Sequence, residues 1–298
     1  MKFPITRVCR FFVAWMLMIS CLCLSLSAAP LRVLLIDGQN NHDWKSSSPW
    51  IKQVLESTGM FQVDVATSPG KGGDMSTFKP DLKPYRAVVS NYNGESWSKE
   101  FQAMFTEYVR NGGGFVSVHA ADNAFPDWAD YNEMIGVGGW NGRNEKSGPW
   151  LYWEGKIQRD TNPGPGGSHG KQHAFKMVTR EPKHPIMVGL PAEWMHTKDE
   201  LYDRLRGPAK NVTVLATAFA DKEQNGTGRN EPLLMIVPFG EGRVFHTALG
   251  HNNGPDLTGQ KCVGFIVTLQ RGTEWAATGQ VTQKVPADFP TADKVSAR

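Results

Sequence analysis

From Leu31 to Asp37 the chain reads Leu-Arg-Val-Leu-Leu-Ile-Asp, apolar almost without a break. A half-buried strand alternates apolar and polar positions, so a continuous run predicts a strand covered on both faces, as in a parallel sheet. Gly38 ends the run, a polar loop follows to Lys45, and Pro49 to Ser57 reads as a helix with Ser46 to Ser48 as cap candidates. Phe61 to Thr67 alternates like a strand, and Tyr85 to Asn91 is another apolar run. Ser98 to Arg110 places Phe101, Phe105 and Val109 at helical spacing, Gly112 to Gly114 stop it, and Phe115 to His119 is the next strand. The order β-α-β-β-α-β predicts an α/β domain with a doubly wound, mostly parallel sheet.

The second half is less regular. Residues 136–172 are dense in Gly, Pro and Trp and too long for a simple connector, which predicts a functional loop or lid. Strands are expected at His173–Thr179, Val212–Phe219, Leu233–Pro238 and Arg243–Leu249, then a helix from about Thr258 to Arg271 and a tail over 281–298. No repeat or linker divides the chain, so one domain is expected over 30–280.

The first residues bear on compartment. Lys2, Arg7 and Arg10 precede an uncharged apolar stretch from Phe11 to Leu26, and Ser25, Ser27, Ala28 and Ala29 supply small residues for a cut. The stretch is shorter than the roughly 20 residues of a membrane span, so 1–29 is expected to be a cleaved signal peptide and the product periplasmic or secreted. A lipoprotein acylated at Cys21 is the alternative. Three of the four cysteines, Cys9, Cys21 and Cys23, fall in that leader. The remaining chain keeps Cys262 alone and must hold itself together by its core. A net charge of +3 over 298 residues is too small and too dispersed for a nucleic-acid partner. No later apolar run reaches membrane length.

Open α/β sheets bind ligands outside the carboxyl ends of their strands. His42 follows the first expected strand, His119 ends the fourth, and His246 and His251 lie at and beyond the end of the last; Asn91 and Asn93 end the third. Clustered buried imidazoles are costly unless used, so His42, His119 and His251 are the candidate catalytic set and a tentative ligand set for a divalent metal, zinc or similar. Glu200 is a candidate acid or base, and Asn93, Asp122, Trp44, Trp140 and Trp153 are candidate substrate contacts. Trp140, Trp150 and Trp153 lie in the expected lid, where an aromatic face can stack on a sugar ring. His184 reads as a structural turn before a helix, and His169 and His173 are open to either reading. Pro163 to Ser168 is glycine-rich but lacks the lysine and helix start of a phosphate loop.

These residues also carry a resemblance. Gly38-x-x-x-His-x-Trp44, Gly112-Gly-Gly-Phe-x-x-x-His-Ala-Ala121, His184-Pro-Ile-x-x-Gly-Leu-Pro191, Asp199-Glu-Leu-Tyr202 and Gly242-Arg-Val-x-x-x-x-Leu-Gly-His251, in that order, resemble the ThuA-like (trehalose-utilisation) family from about Leu31 to Trp275. The resemblance implies a flavodoxin-like, class I glutamine-amidotransferase-like fold with His119 where the amidotransferases hold a nucleophilic cysteine. Without that thiolate, thioester chemistry is excluded, and Cys262 is expected in the last helix, far from the rim. The implied ligand is a small carbohydrate, a trehalose-like disaccharide or its keto derivative. His246 departs from the family pattern, which has Tyr there, and that counts against an essential role for it. Two functions follow: an enzyme acting by histidine- or metal-assisted enolisation (isomerisation, elimination or cleavage), or a non-catalytic sugar-binding protein.

Overall fold

The computed structural model describes Met1 and residues 29–252 and 254–298. Apart from Met1 and Ala29, the expected leader lies outside the described residues.

Strand β1 (Leu31–Asp37) buries Val33 to Ile36, as its apolar run requires. Helix α1 (Trp44–Glu56) starts a turn earlier than the sequence suggested. Asp43, not the serines, is its cap: the carboxylate accepts from the Ser46 N–H and hydroxyl, and Pro49 is carried inside. Then come β2 (Phe61–Thr67), β3 (Ala87–Ser90), α2 (Lys99–Arg110, capped by the Ser98 hydroxyl) and β4 (Gly114–Val118). A short helix the sequence did not suggest, α3 (Ala129–Ile135), follows, and its Tyr131 joins Trp97, Phe105, Phe125 and Trp128 in an aromatic layer against α2.

The expected lid is partly ordered as a hairpin, β5 (Trp150–Glu154) and β6 (Lys156–Asp160), then a short β7 (Ser168–His169). Next are β8 (His173–Thr179), β9 (Glu193–Asp199), β10 (Tyr202–Asp203), β11 (Thr213–Phe219), β12 (Asn230–Phe239) and β13 (Gly242–Thr247). A single turn, α4 (Thr258–Lys261), leads into α5 (Val263–Thr278), which is buried on every side through Ala277 and therefore lacks an amphipathic pattern. No helix follows His184; residues 184–190 form turns.

The main sheet runs β2-β1-β3-β4-β13-β12-β11-β8-β9. Its first five strands are parallel, in the 2-1-3-4-5 order of flavodoxin-like sheets. The remaining four pair antiparallel, so β12 and β8 run backwards while β11 and β9 return to the direction of β1. Seven of the nine strands on this path thus point the same way, with β5 and β6 joined to it through β12, and β9 ends on the same rim as β1, β3, β4 and β13. The tail is docked rather than loose. Thr291 accepts from the Met195 N–H of edge strand β9 at 2.8 Å, Ser296 accepts from the Val263 N–H at 2.9 Å, and Phe289 packs on Trp194. It occupies an edge that would otherwise offer unpaired backbone groups.

Candidate functional site

Five strand ends supply the rim. After β1 the loop carries His42, whose N–H bonds the Asn40 side chain at 2.9 Å. That loop is tied to the one after β13 by the Asp43 N–H on Asn252 O and by the Asn252 amide on Asp43 O, at 3.2 and 2.9 Å. His119 is the first residue past β4 and has φ of +47°, a left-handed conformation unusual for a side-chain-bearing residue. This sharp exit at the strand-to-turn position swings the imidazole inward, where its face stacks on Tyr202 at 4.3 Å. Nδ1 lies 2.8 Å from Ala248 O, so Nδ1 carries the proton and donates it. Nε2 is buried, has no hydrogen-bond partner among the described residues, and faces Glu200 Oε2 at 3.6 Å.

Glu200 is the centre of the cluster. It is buried, Oε1 lies 3.1 Å from His251 Nε2 and 3.5 Å from His169 Nε2, and Gln172 reaches it at 3.3 Å. The imidazoles of His42, His119 and His251 converge, with ring centres 4.9, 4.7 and 5.7 Å apart. Burial pushes the Glu200 carboxyl up, but the hydrogen bond and charge of His119, with His251 and His169, outweigh it and leave the group below the usual carboxylate range. Burial alone would lower His119; Glu200 and Asp199 reverse that and raise it. At His251 burial prevails over the pull of Glu200 and the net direction is down. One carboxylate therefore faces one imidazole inclined to hold its proton and another inclined to lose it.

A divalent metal can be tested against this arrangement. His119 offers a buried, otherwise unused Nε2 on a ring whose tautomer Ala248 fixes, and donor atoms of His42, His119 and Glu200 lie within 4.8 Å of one another. Two imidazoles and a carboxylate are a donor set that catalytic zinc sites use. The residues fit such an ion. The set differs from the sequence expectation, since Glu200 takes the place given to His251, whose ring turns instead toward the carboxylate.

The cluster opens into a cavity of about 390 Å³, whose wall also holds Asn41, Asn93, Asn123, Trp140, Asn141 and Tyr202. Asn123 is on that wall, and its Oδ1 is buried with no hydrogen-bond partner among the described residues. Through Asn41, Asn93 and Asn141 the cavity joins a neighbouring cleft of about 730 Å³ where Trp44 lies. Two candidates lie elsewhere. Asp122 is fully buried behind the site, with Oδ2 3.1 Å from His246 Nε2, while His246 Nδ1 donates to Ile135 O. Trp153 packs on the core from β5 under the Arg180 guanidinium, and Trp150 stacks on Arg206. His184 is half-buried against Trp275 and is lowered to about 4 by burial, as suits a structural residue.

Sequence reasoning gave no role to Tyr202, Asn41, Asn123, Asn141 or Asp199. Tyr202 and Asp199 bound the Asp-Glu-Leu-Tyr segment, which was the available signal. Cys262 is not remote from the rim. It sits at the α4–α5 junction, fully buried beside His196, which bonds Asp199. Burial raises that thiol, but the His196 charge more than offsets it and brings it down to about 7.

The ThuA family profile, described as trehalose utilisation, matches residues 32–276. The chain belongs to the ThuA family. A ThuA-like protein of Parabacteroides merdae ATCC 43184 is 52% identical, with a TM-score of 0.87 over 90% of this chain and 98% of that one. A ThuA-like protein of Bacteroides uniformis ATCC 8492 shares 16% identity and a TM-score of 0.55 over 86% and 95% of the two chains, a likeness of fold. No curated protein matches the sequence.

Proposed function

We propose that this ThuA-family protein is a carbohydrate enzyme that moves protons on a keto derivative of a trehalose-like disaccharide. The observation that carries the reading is the buried Glu200 carboxylate, which lines the cavity with His42 and His251 and faces His119 at 3.6 Å. Among the described residues no lysine or arginine lines that cavity, which suits an uncharged polyol better than a sugar phosphate. Its asparagine amides offer paired donors and acceptors for hydroxyls, and Trp140 offers a ring face.

A C–H beside a ketone is acidic enough for a carboxylate or imidazole to remove it if the oxygen is stabilised as it leaves. Glu200, ionised near neutrality, takes the proton. His119 gives its Nε2 proton to the carbonyl oxygen, so the C–H electron pair becomes the C=C bond of an enediol. Return of the Glu200 proton to the former carbonyl carbon, as the other enediol hydroxyl gives its proton to His119, yields the isomer. Departure of a substituent oxygen one carbon further with the C–O electron pair and the Glu200 proton, as the enol hydroxyl returns its proton to His119, yields elimination. A divalent ion held by His42, His119 and Glu200 would supply polarisation of that oxygen when bound. His251, outside that donor set and kept neutral by burial, is the imidazole left to accept a proton in that state.

The test is to incubate the protein, with and without added zinc, with a keto-disaccharide and follow the ketone signal. Its loss supports an enzyme; saturable binding with the ketone intact supports a sugar-binding protein. Export belongs to the same reading, since the basic-then-apolar start suits a cleaved leader. Expressed with its leader in a Gram-negative host, the protein should begin within a few residues of Pro30. An intact leader on a cytoplasmic product would count against export.

A further inference from the structure

Glu200 and His251 meet at 3.1 Å, yet the sheet does not set that distance. Glu200 follows β9 at the sheet edge and His251 follows β13 near its centre, with β12, β11 and β8 between them. Asp199 bridges the gap. Its side chain is fully buried and each oxygen takes two donors: Oδ1 accepts from the N–H groups of Glu200 at 2.8 Å and His251 at 2.9 Å, and Oδ2 from the Gly250 N–H at 2.9 Å and His196 Nε2 at 2.7 Å. Four donors fill the acceptor capacity of a carboxylate. Behind it, Gly259 in α4 has no room for a side chain, since a Cβ there would come within 2.7 Å of the Asp199 carboxylate.

We infer that Asp199 is a positioning residue which, braced by His196, holds the backbones of Glu200 and His251 in the register their side chains need. The inference rests on the proposed role of Glu200 and His251, but its geometry can be tested apart from that role. Outer partners of this kind typically alter turnover or metal affinity about 10- to 100-fold when changed.

Substitutions at three positions test it. Asp199→Asn turns an amide NH₂ toward backbone N–H donors and should lower kcat, or the affinity for added Zn²⁺, by about 10- to 100-fold, with KM changed less. His196→Gln keeps a donor within reach and should recover most of what His196→Ala loses. Gly259→Ala should reproduce the Asp199→Asn defect, although alanine is the better helix former and would otherwise be benign. Crystal structures of the variants should show the His251–Glu200 contact lengthened beyond hydrogen-bond reach, while His184→Ala, away from the rim, leaves it intact. If Asp199→Asn does not fold, Gly259→Ala decides. An unchanged contact with unchanged kcat or Zn²⁺ affinity in the folded variants overturns the inference. If the wild-type protein neither turns over a keto-sugar nor binds Zn²⁺, the proposed function fails and the crystallographic contact alone decides the positioning.

Discussion

His119 Nδ1 donates to the carbonyl of Ala248 at 2.8 Å, joining the turn after β4 to the loop after β13 across 129 positions of sequence. The bond dictates which nitrogen can act, because Nδ1 is committed and Nε2 is the nitrogen that faces Glu200. With a left-handed backbone at His119, it aims one lone pair or one proton at Glu200.

Replacing His119 should therefore separate function from folding. His119→Ala is expected to lower turnover of a keto-disaccharide by about 10²- to 10⁴-fold, the range for a positioned acid or base. Leaving Ala248 O without its donor should cost about 1–3 kcal/mol of stability. Steady-state kinetics and urea denaturation measure the two. A large stability loss beside near-normal turnover would make His119 a structural residue.

Cation binding should follow the tight donor set. In calorimetric titration with Zn²⁺, His42→Ala and Glu200→Gln should each weaken binding at least about tenfold, and His251→Ala should do so much less. Imidazoles bind metals in the neutral form, so protons compete. Because His119 is raised, affinity should begin to fall above the unperturbed histidine range, near pH 6.5, and continue falling below it. If His251→Ala were the most damaging of the three, the set of three histidines read from the sequence would be the better one.

The parallel half of the fold was legible because β1, β3 and β4 are buried on both faces, edge strand β2 alternates, and the helices carry clear apolar spacing, as in α2 with Phe101, Phe105 and Val109. Strand β9 was not. Glu-Trp-Met-His-Thr-Lys-Asp is polar because it lies at the sheet edge and buries His196 and Asp199 in a polar network rather than in an apolar layer. The rim histidines could be placed from topology alone, since strand direction sets which end of the sheet each reaches. Asp122 failed as a cavity residue because the turn from His119 to Asn123 rotates its carboxylate back onto His246. Pattern reading has no access to that rotation. Tyr202 stood in a recognised segment, but only the folded loop reveals its ring against His119.

Glu231 gives a pH prediction independent of the site's function. Burial raises this carboxyl to about 7, the Asp203 charge adds to the rise, and the Thr227 hydroxyl at 2.6 Å opposes it. A folded pKa above the unfolded value of about 4.3 means the native state holds the extra proton. Its contribution to stability is fully present below that value and is lost as pH rises through 7. Glu231→Gln keeps an acceptor for Thr227 and removes the titration. It should flatten the fall in stability between about pH 4.5 and 7 and stabilise the protein at pH 8 by roughly 1–3 kcal/mol. Denaturation curves for both proteins across that range check it; parallel profiles would mean that Glu231 titrates normally.

Trp140 and Trp153 both fall, with Trp150, in the expected lid, and the structure separates them. Trp140 has a left-handed backbone, with φ of +51°, fixed by its N–H on Gly166 O at 2.6 Å. Its ring lies 4.6 Å from Tyr202 and forms part of the cavity wall. Trp153, on β5, packs against the core instead. Stacking of a ring face on an apolar partner is worth about 0.5–1.5 kcal/mol beyond burial. Trp140→Ala should thus raise KM for a keto-disaccharide by about 2- to 12-fold, with a smaller effect on kcat, and Trp140→Phe should restore most of the affinity. Trp153→Ala should leave KM alone and lower stability by about 1–3 kcal/mol, because the ring is only half-buried. Kinetics and thermal unfolding of the three variants give both numbers. An unchanged KM in Trp140→Ala would place the sugar ring elsewhere, with the cleft beside Trp44 the next surface to test.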